Sequence, residues 1–288
     1  LPWAKPLLIS STLTQATIYV LRPMITYRAL ELDANAAQIG LIASVYALFP
    51  VVLALHFGKW VGRMGEAKFI IYGTLAMLVT SAALMFADSI TLLALAAGAA
   101  GLAHLACMVG GQSMVALRAP RESYDRYFGF YTFSASVGHM LGPIFAAIVA
   151  GSNGNLPRST SNAFLLGVVL TILAIFPVIR WRNERPTVVA QQSSEGTFKT
   201  AIHLVKRPGI LAAIYISLAI SSAADVLVVF LPLFGTENNF SPYAVGAILA
   251  IRAGTTMLSR FFLGRLSDRF TTFQLLWWST VISVISCA

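Results

Sequence analysis

Three charged side chains lie inside long apolar segments of this sequence: Arg22, Asp225 and Arg252. Two histidines, His104 and His139, lie in segments of the same kind. A charge at the centre of a bilayer costs about 2.5 to 3.5 kcal/mol on insertion scales, and such residues commonly mark pathways for ions, protons or substrates. The chemistry that these side chains offer is ion pairing and proton exchange.

Polar residues recur at intervals of three and four in two segments: Thr12, Gln15, Tyr19, Arg22 and Thr26 in the first, and Ser217, Ser221 and Asp225 in a later one. Each series forms one polar stripe on an otherwise apolar helix. Arg22 and Asp225 lie at a similar distance from the outer end of their segments, and hence at a similar depth. We expect them to meet, either as a structural ion pair or as a pair that exchanges partners with a substrate or a proton.

The other polar candidates leave several roles open. His104 and His139 suit either a proton relay near neutral pH or a hydrogen bond between helices. Arg252 suits snorkelling to the membrane surface, pairing with an acid, or contact with an anionic substrate. Gln112 is a candidate polar group of a substrate cavity. Neither histidine has a metal-ligand partner at helical spacing, so we expect no metal and no cofactor. The expected energy source is a proton or other ion gradient.

The composition places these residues in a membrane. The chain is 57% hydrophobic and 11% charged, whereas about a quarter of the residues of a soluble protein are charged. Runs long enough to cross about 30 Å of hydrocarbon predict nine spans, at 7–29, 37–60, 69–88, 90–113, 126–150, 162–180, 209–232, 242–264 and 271–288. Because these runs lack an alternation of apolar and polar residues, they predict helices rather than a barrel. The expected class is an all-α integral membrane protein.

Basic residues predict the orientation of these spans. Lysines and arginines concentrate in the even-numbered connections, such as Lys59, Arg63 and Lys68, whereas the odd-numbered connections hold only Arg28 and Arg158. Cytoplasmic loops are enriched in Lys and Arg, so we expect a cytoplasmic N-terminus in a bacterial inner (plasma) membrane. The net charge of +9 therefore indicates topology rather than nucleic-acid binding. The expected partners are the lipid bilayer and a small-molecule substrate, with the protein a monomer.

Two stretches of the chain repeat one pattern. Gly40 to Gly58 is followed by Arg63, and Gly246 to Gly264 is followed by Arg269; each stretch begins after a capping candidate, Asn35 or Ser241. Each ends in a short basic turn, GKWVGRMGEAK in the first copy and GRLSDRF in the second. A third pattern, GHMLGPIFAA in span five, places small residues at four-residue spacing around a proline.

These patterns resemble the major facilitator superfamily of secondary transporters. Its first-loop signature is matched by Gly58, Arg63, Gly65 and Lys68, the second copy by Gly264, Asp268 and Arg269, and its antiporter motif by Gly138, Gly142 and Pro143. Gly62 and Thr271 depart from the signature, which has an acid and a glycine at those places. The resemblance implies a complete six-helix N-terminal bundle (1–182), a cytoplasmic linker with a short amphipathic helix (183–208), and a partial C-terminal bundle of spans seven to nine (209–288). We therefore expect a piece of a twelve-span protein.

The resemblance also implies roles for the motif residues. Gly58 and Gly264 would let helix ends approach closely. Arg63 and Arg269 would form a gating latch with a carboxylate or with helix carbonyls, or else serve only as cytoplasmic anchors. The ridge that contains Gly138 and Gly142 would either seal the two halves against leak or make ordinary packing contacts.

The expected function is secondary active transport of a small organic solute by alternating access, as proton-coupled antiport in the efflux direction. The alternatives are a proton-coupled symporter or uniporter for an organic anion, and a non-transporting membrane sensor on the same fold. An enzyme is not expected, because the sequence contains no G-x-S-x-G, no H-E-x-x-H and no phosphate-binding loop.

Overall fold

The computed structural model describes residues 1–184 and 209–267, and isolated residues between 270 and 281. This part of the chain contains eight α-helices: α1 Ala4–Glu31, α2 Ala36–Met64, α3 Glu66–Met85, α4 Ile90–Arg118, α5 Tyr124–Ala150, α6 Thr160–Val178, α7 Ile210–Glu237 and α8 Pro242–Ser267. Single 3-10 turns, Arg121–Ser123 and Ile179–Trp181, follow α4 and α6. Most of the predicted linker and most of the predicted ninth span lie outside the described residues, as do Asp268 and Arg269.

Short polar residues set the helix starts. Asn35 and Gln38 form a capping box at the start of α2, and Ser241, the second predicted cap, accepts a hydrogen bond from the amide of Ala244 at 3.3 Å. Such caps satisfy amides that have no partner inside the helix. Gly65 separates α2 from α3 with a φ of 87°, a conformation that side chains disfavour.

Five of the helical segments are long and apolar enough to cross a membrane by length and composition: Ala36–Ala54, Glu66–Met85, Ile90–Arg118, Arg121–Ala150 and Thr160–Trp181. The first predicted span, α1, is not among them. Its threonines, Gln15 and Arg22 lower its hydropathy, and these polar side chains face other helices: Thr14, Gln15, Thr17 and Thr26 are all buried. A polar helix surrounded by apolar ones is consistent with the centre of an integral membrane bundle.

Small residues let α1 pack closely against α5. A Cβ atom at Gly142 would lie 2.7 Å from the carbonyl oxygen of Ala16, and one at Gly138 would collide with the carbonyl of Thr12. The predicted tight seam is therefore present, but these two glycines form it inside the six-helix set rather than between the halves. Pro143 contacts the other half, because a Cβ at Gly246 of α8 would lie 2.9 Å from its carbonyl oxygen.

The described contacts between the first six helices and α7 include the part of α7 from Asp225 onwards. Thr26 donates a hydrogen bond to the carbonyl of Val229 at 2.9 Å, and Asn155 donates one to the carbonyl of Thr236 at 2.8 Å. Among the earlier side chains of α7 that the structure describes, Leu211, Tyr215 and Leu218 are exposed. The halves also meet between α5 and α8, where a Cβ atom at Gly254 would lie 3.3 Å from the sulfur of Met140.

Candidate functional site

Arg22 and Asp225 form an ion pair between α1 and α7. Nη1 of Arg22 donates to Oδ1 of Asp225 at 2.7 Å. Thr26 and Val229 repeat this contact four residues further along both helices, which fixes the register of the pair. The arginine side chain is 11% exposed and the aspartate side chain 58% exposed, so one partner is enclosed and the other is open.

A third side chain completes the surroundings of Arg22. Tyr46 of α2 places its ring centroid 5.1 Å from the guanidinium carbon, within the range of a cation–π contact. Both residues line a narrow cavity. The rest of its wall is almost entirely apolar, formed by Ile25, Ala29, Ile39, Ile42, Ala43, Ala97 and Val229, with the hydroxyl of Thr26 already bound. The cavity suits an apolar group that lies beside an ion pair.

Gln15 joins the two histidines. Its Oε1 atom lies 3.1 Å from Nε2 of His104 on α4 and 3.1 Å from Nε2 of His139 on α5. A second hydrogen bond links His104 to α2, because the Nδ1 atom of His104 lies 2.9 Å from the hydroxyl of Tyr46. Tyr19 stacks on His139 with ring centroids 4.0 Å apart. Both histidines thus make hydrogen bonds between helices, the second of their two expected roles.

The chemistry of Gln15 determines where protons lie in this network. An amide oxygen only accepts hydrogen bonds, so with Gln15 in this orientation both imidazoles carry a proton on Nε2. A neutral His104 then accepts at Nδ1 from the hydroxyl of Tyr46. A proton does not pass between the histidines through an atom that only accepts, so the continuous hydrogen-bonded path is His104 to Tyr46.

Two sequence candidates lie outside this network. Gln112 is exposed and makes no described contact with the members of this network. Arg252 on α8 is partly buried, and its Nε atom has no hydrogen-bond partner among the described residues. Within those residues, no group of three His, Cys, Asp or Glu side chains is placed to hold a metal ion.

The basic turn after α2 differs from the expected latch. Arg63 is exposed, and neither it nor Lys68 forms an ion pair within residues 1–184 and 209–267. A Cβ atom at Gly58 would meet no described atom within 4 Å, so the predicted close approach of a helix end is not made there. Gly264 lies in the last turns of α8, but the rest of the second latch lies outside the described residues.

The acid of this turn, Glu66, was not singled out in the sequence. Nε of Arg118 donates to Oε1 of Glu66 at 2.8 Å, and Nη2 of Arg118 donates to Oε2 of Glu184 at 2.7 Å. The Glu66 side chain is 1% exposed. We call these three residues the Arg118 triad. The sequence feature that could have identified Glu66 is its position as an acid in an otherwise basic turn, directly after Gly65. Tyr46 was harder to identify from the sequence, because it carries no charge.

Comparisons with known proteins agree with this architecture. The family model of the Major Facilitator Superfamily matches residues 7–288. The multidrug resistance protein MdtG of Dickeya zeae is 20% identical over 251 residues, which are 85% of this chain and 60% of that protein. Multidrug resistance protein 1 of Bacillus subtilis is 23% identical over 146 residues, which are 50% of this chain and 38% of that protein.

Among solved structures, the chain is similar to a bacterial homologue of the human lysosomal transporter Spinster in an inward-facing, unoccupied conformation. The TM-score is 0.71 at 17% identity, over 93% of this chain and 62% of that one. This chain thus spans less than two thirds of the length of these relatives. Since the family model extends over nearly all of its residues, the chain belongs to the major facilitator superfamily.

Proposed function

We propose that this protein is a secondary active transporter, rather than an enzyme, that exports a small organic solute by proton-coupled antiport. The observation that supports this most directly is the Arg22–Asp225 pair, which joins α1 to α7 through a single hydrogen bond. The names of the relatives from Dickeya zeae and Bacillus subtilis, both multidrug resistance proteins, favour efflux of drug-like compounds.

The geometry of the pair suits competition between a proton and a substrate. Asp225 is the more exposed partner, and only its Oδ1 atom is bound by Arg22. Either a proton or a cationic group on this carboxylate would remove the counter-charge of Arg22. The contact between α1 and α7 would then rest on Thr26 and on apolar packing. Binding at one carboxylate would therefore change the contact between the two halves, as antiport requires.

The cavity beside the pair suits an amphipathic solute. Its apolar wall, contributed by α1, α2, α4 and α7, would hold a hydrophobic body, while Arg22 and Tyr46 supply the polar groups. Arg22 would instead bind an organic anion if Asp225 moved away. That possibility supports the second candidate function, an anion symporter or uniporter.

We further propose that the described arrangement is the one open to the cytoplasm. The hydrogen bonds of α7 to Thr26 and Asn155 lie beyond Asp225, towards the predicted outer side, and the described side chains of its earlier turns, Leu211, Tyr215 and Leu218, are exposed. This assignment rests on a cytoplasmic N-terminus in a bacterial inner membrane. It also uses the proposed division into a bundle at 1–182, a linker at 183–208 and a second bundle from 209, in a monomer.

The test is transport by the Asp225→Asn variant. Inverted membrane vesicles with a preformed proton gradient are monitored with a pH-sensitive dye while lipophilic cations or organic anions are added. We expect lipophilic cations to collapse the gradient with the native protein and not with Asp225→Asn. The matched control is Asp88→Asn, which removes an exposed carboxylate between α3 and α4 and should leave transport unchanged.

Three outcomes separate the candidates. Full activity of Asp225→Asn would contradict the role of the pair in coupling. A response to organic anions alone would contradict the proposed efflux of cations and would support the anion transporter. No response to any compound, from a protein that is folded and inserted, would contradict antiport and leave a symporter, a uniporter or a sensor.

A further inference from the structure

An apolar groove runs along the surface of the first six helices between α2, α3 and α4. Its walls include Phe57 and Trp60 of α2, Tyr72, Ala76 and Val79 of α3, and Leu102 of α4. The empty volume is about 960 Å³. Trp60, Tyr72 and Val79 are exposed large side chains, so the groove opens on the face that a bilayer would cover.

The groove has the length of one lipid leaflet. Its lining on α3 extends from Phe69, at the start of the helix, to Thr80. Eleven residues at about 1.5 Å each give about 16 Å, and half of a hydrocarbon core of about 30 Å is nearly the same. The groove therefore runs from the cytoplasmic end of α3 to about the middle of the membrane in the predicted orientation.

Basic residues lie next in sequence to the groove lining at the end that is predicted to be cytoplasmic. Lys59, Arg63 and Lys68 are direct sequence neighbours of its lining residues Trp60, Met64 and Phe69. None of the three forms an ion pair with the part of the chain that the structure describes. The nearby acid, Glu66, is buried and bound to Arg118. Trp60 lies at the same end, where tryptophan commonly meets lipid headgroups.

We infer that this groove binds one anionic phospholipid of the cytoplasmic leaflet. One acyl chain lies between Phe57 and Val79, and the phosphate lies at Arg63 and Lys68. Basic clusters at the cytoplasmic ends of membrane helices attract anionic lipids by about 1 kcal/mol per Lys or Arg. A zwitterionic lipid would fill the apolar part equally well but gain less from the two cations. The inference is independent of what the protein transports.

The experiment measures lipid binding by native mass spectrometry. The protein, delipidated in mild detergent, is titrated with phosphatidylglycerol or with phosphatidylcholine of identical acyl chains. We expect one phosphatidylglycerol to bind more tightly than phosphatidylcholine. Arg63→Gln with Lys68→Gln should weaken phosphatidylglycerol binding roughly tenfold or more and weaken phosphatidylcholine binding much less. The control pair, Arg121→Gln with Arg126→Gln, removes the same charge from another exposed basic turn.

A second pair of variants tests the acyl-chain site. Ala76→Phe fills the groove from an exposed position and should weaken binding of both lipids, whereas Ala116→Phe, at an exposed alanine outside the groove, should change neither. Both changes add an apolar side chain to a surface helix, so folding is checked by the thermal midpoint. Equal affinity for the two lipids, equal loss in the control arginine pair, or undiminished binding by Ala76→Phe would each overturn the inference.

Discussion

Two arginines in this chain make ion pairs of the same length in opposite settings. Arg22 binds one carboxylate oxygen at 2.7 Å, and its partner, Asp225, is 58% exposed on a helix of the other half. Arg118 binds two carboxylates at 2.7 and 2.8 Å, one of them the buried Glu66, all within residues 1–184. The difference lies in what each pair connects. Arg22 joins helices of two halves that the proposed transport cycle would separate, whereas Arg118 joins residues within one half.

The energetic consequences of the two settings differ. A carboxylate that has lost its water depends on its partner, so removal of that partner leaves an uncompensated charge. An exposed carboxylate regains water when its partner leaves, and such pairs add little to stability. The Arg118 triad is therefore expected to be static. When the Arg22–Asp225 pair opens, the exposed aspartate regains water but the enclosed Arg22 loses its counter-charge, so we expect opening to cost more than that of a surface pair and less than loss of the Arg118 triad.

The strongest test of this contrast removes the centre of the triad. Arg118→Ala removes the ion pair between Arg118 and the buried Glu66, and we expect a loss of about 3 to 5 kcal/mol in the free energy of unfolding. The measurement is chemical denaturation in mixed micelles. Arg121→Ala, at an exposed arginine three residues further on, should change the same free energy by less than about 0.5 kcal/mol. A small loss for Arg118→Ala would show that the triad does not hold the bundle together.

The same contrast extends from charge to packing. Gly142 lies against the backbone of α1, where a Cβ atom would be 2.7 Å from the carbonyl oxygen of Ala16, so Gly142→Ala forces the helices apart. We expect a loss of about 1 to 3 kcal/mol in the free energy of unfolding, typical of overpacking. Gly58→Ala meets open space and should be neutral, or stabilising by up to about 1 kcal/mol through helix propensity. Similar losses in the two variants would contradict this assignment.

The sequence predicts the first of the two ion pairs better than the second. Arg22 and Asp225 are conspicuous because apolar residues surround them, and helical rise alone places them at one depth. Arg118 lies among other basic residues of its connection, and its partners are 52 and 66 positions away. Helical periodicity does not predict which surface arginine meets which acid. That choice depends on how α3 and α4 pack and on where the chain leaves α6.

Helix packing also explains the role of Gln15, which the sequence placed on the polar stripe of α1 without naming its partners. Its two histidines come from α4 and α5, and no local spacing relates those helices to α1. The glycines of α5 show the same limit. Their spacing predicted a seam, and only the packing of α5 between α1 and α8 shows that Gly138 and Gly142 face α1 while Pro143 contacts Gly246.

The variant with the largest expected effect on transport is expected to change stability less than Arg118→Ala does. Asp225→Asn keeps an oxygen that accepts from Arg22, and Arg22 keeps its contact with the ring of Tyr46. Because the aspartate is exposed to water while Arg22 is enclosed, we expect the free energy of unfolding to fall by about 1 to 2 kcal/mol. The measurement is the same denaturation in mixed micelles, beside Arg118→Ala. A loss as large as that of Arg118→Ala would make the pair structural, and the exchange of partners at Asp225 would then lose its physical basis.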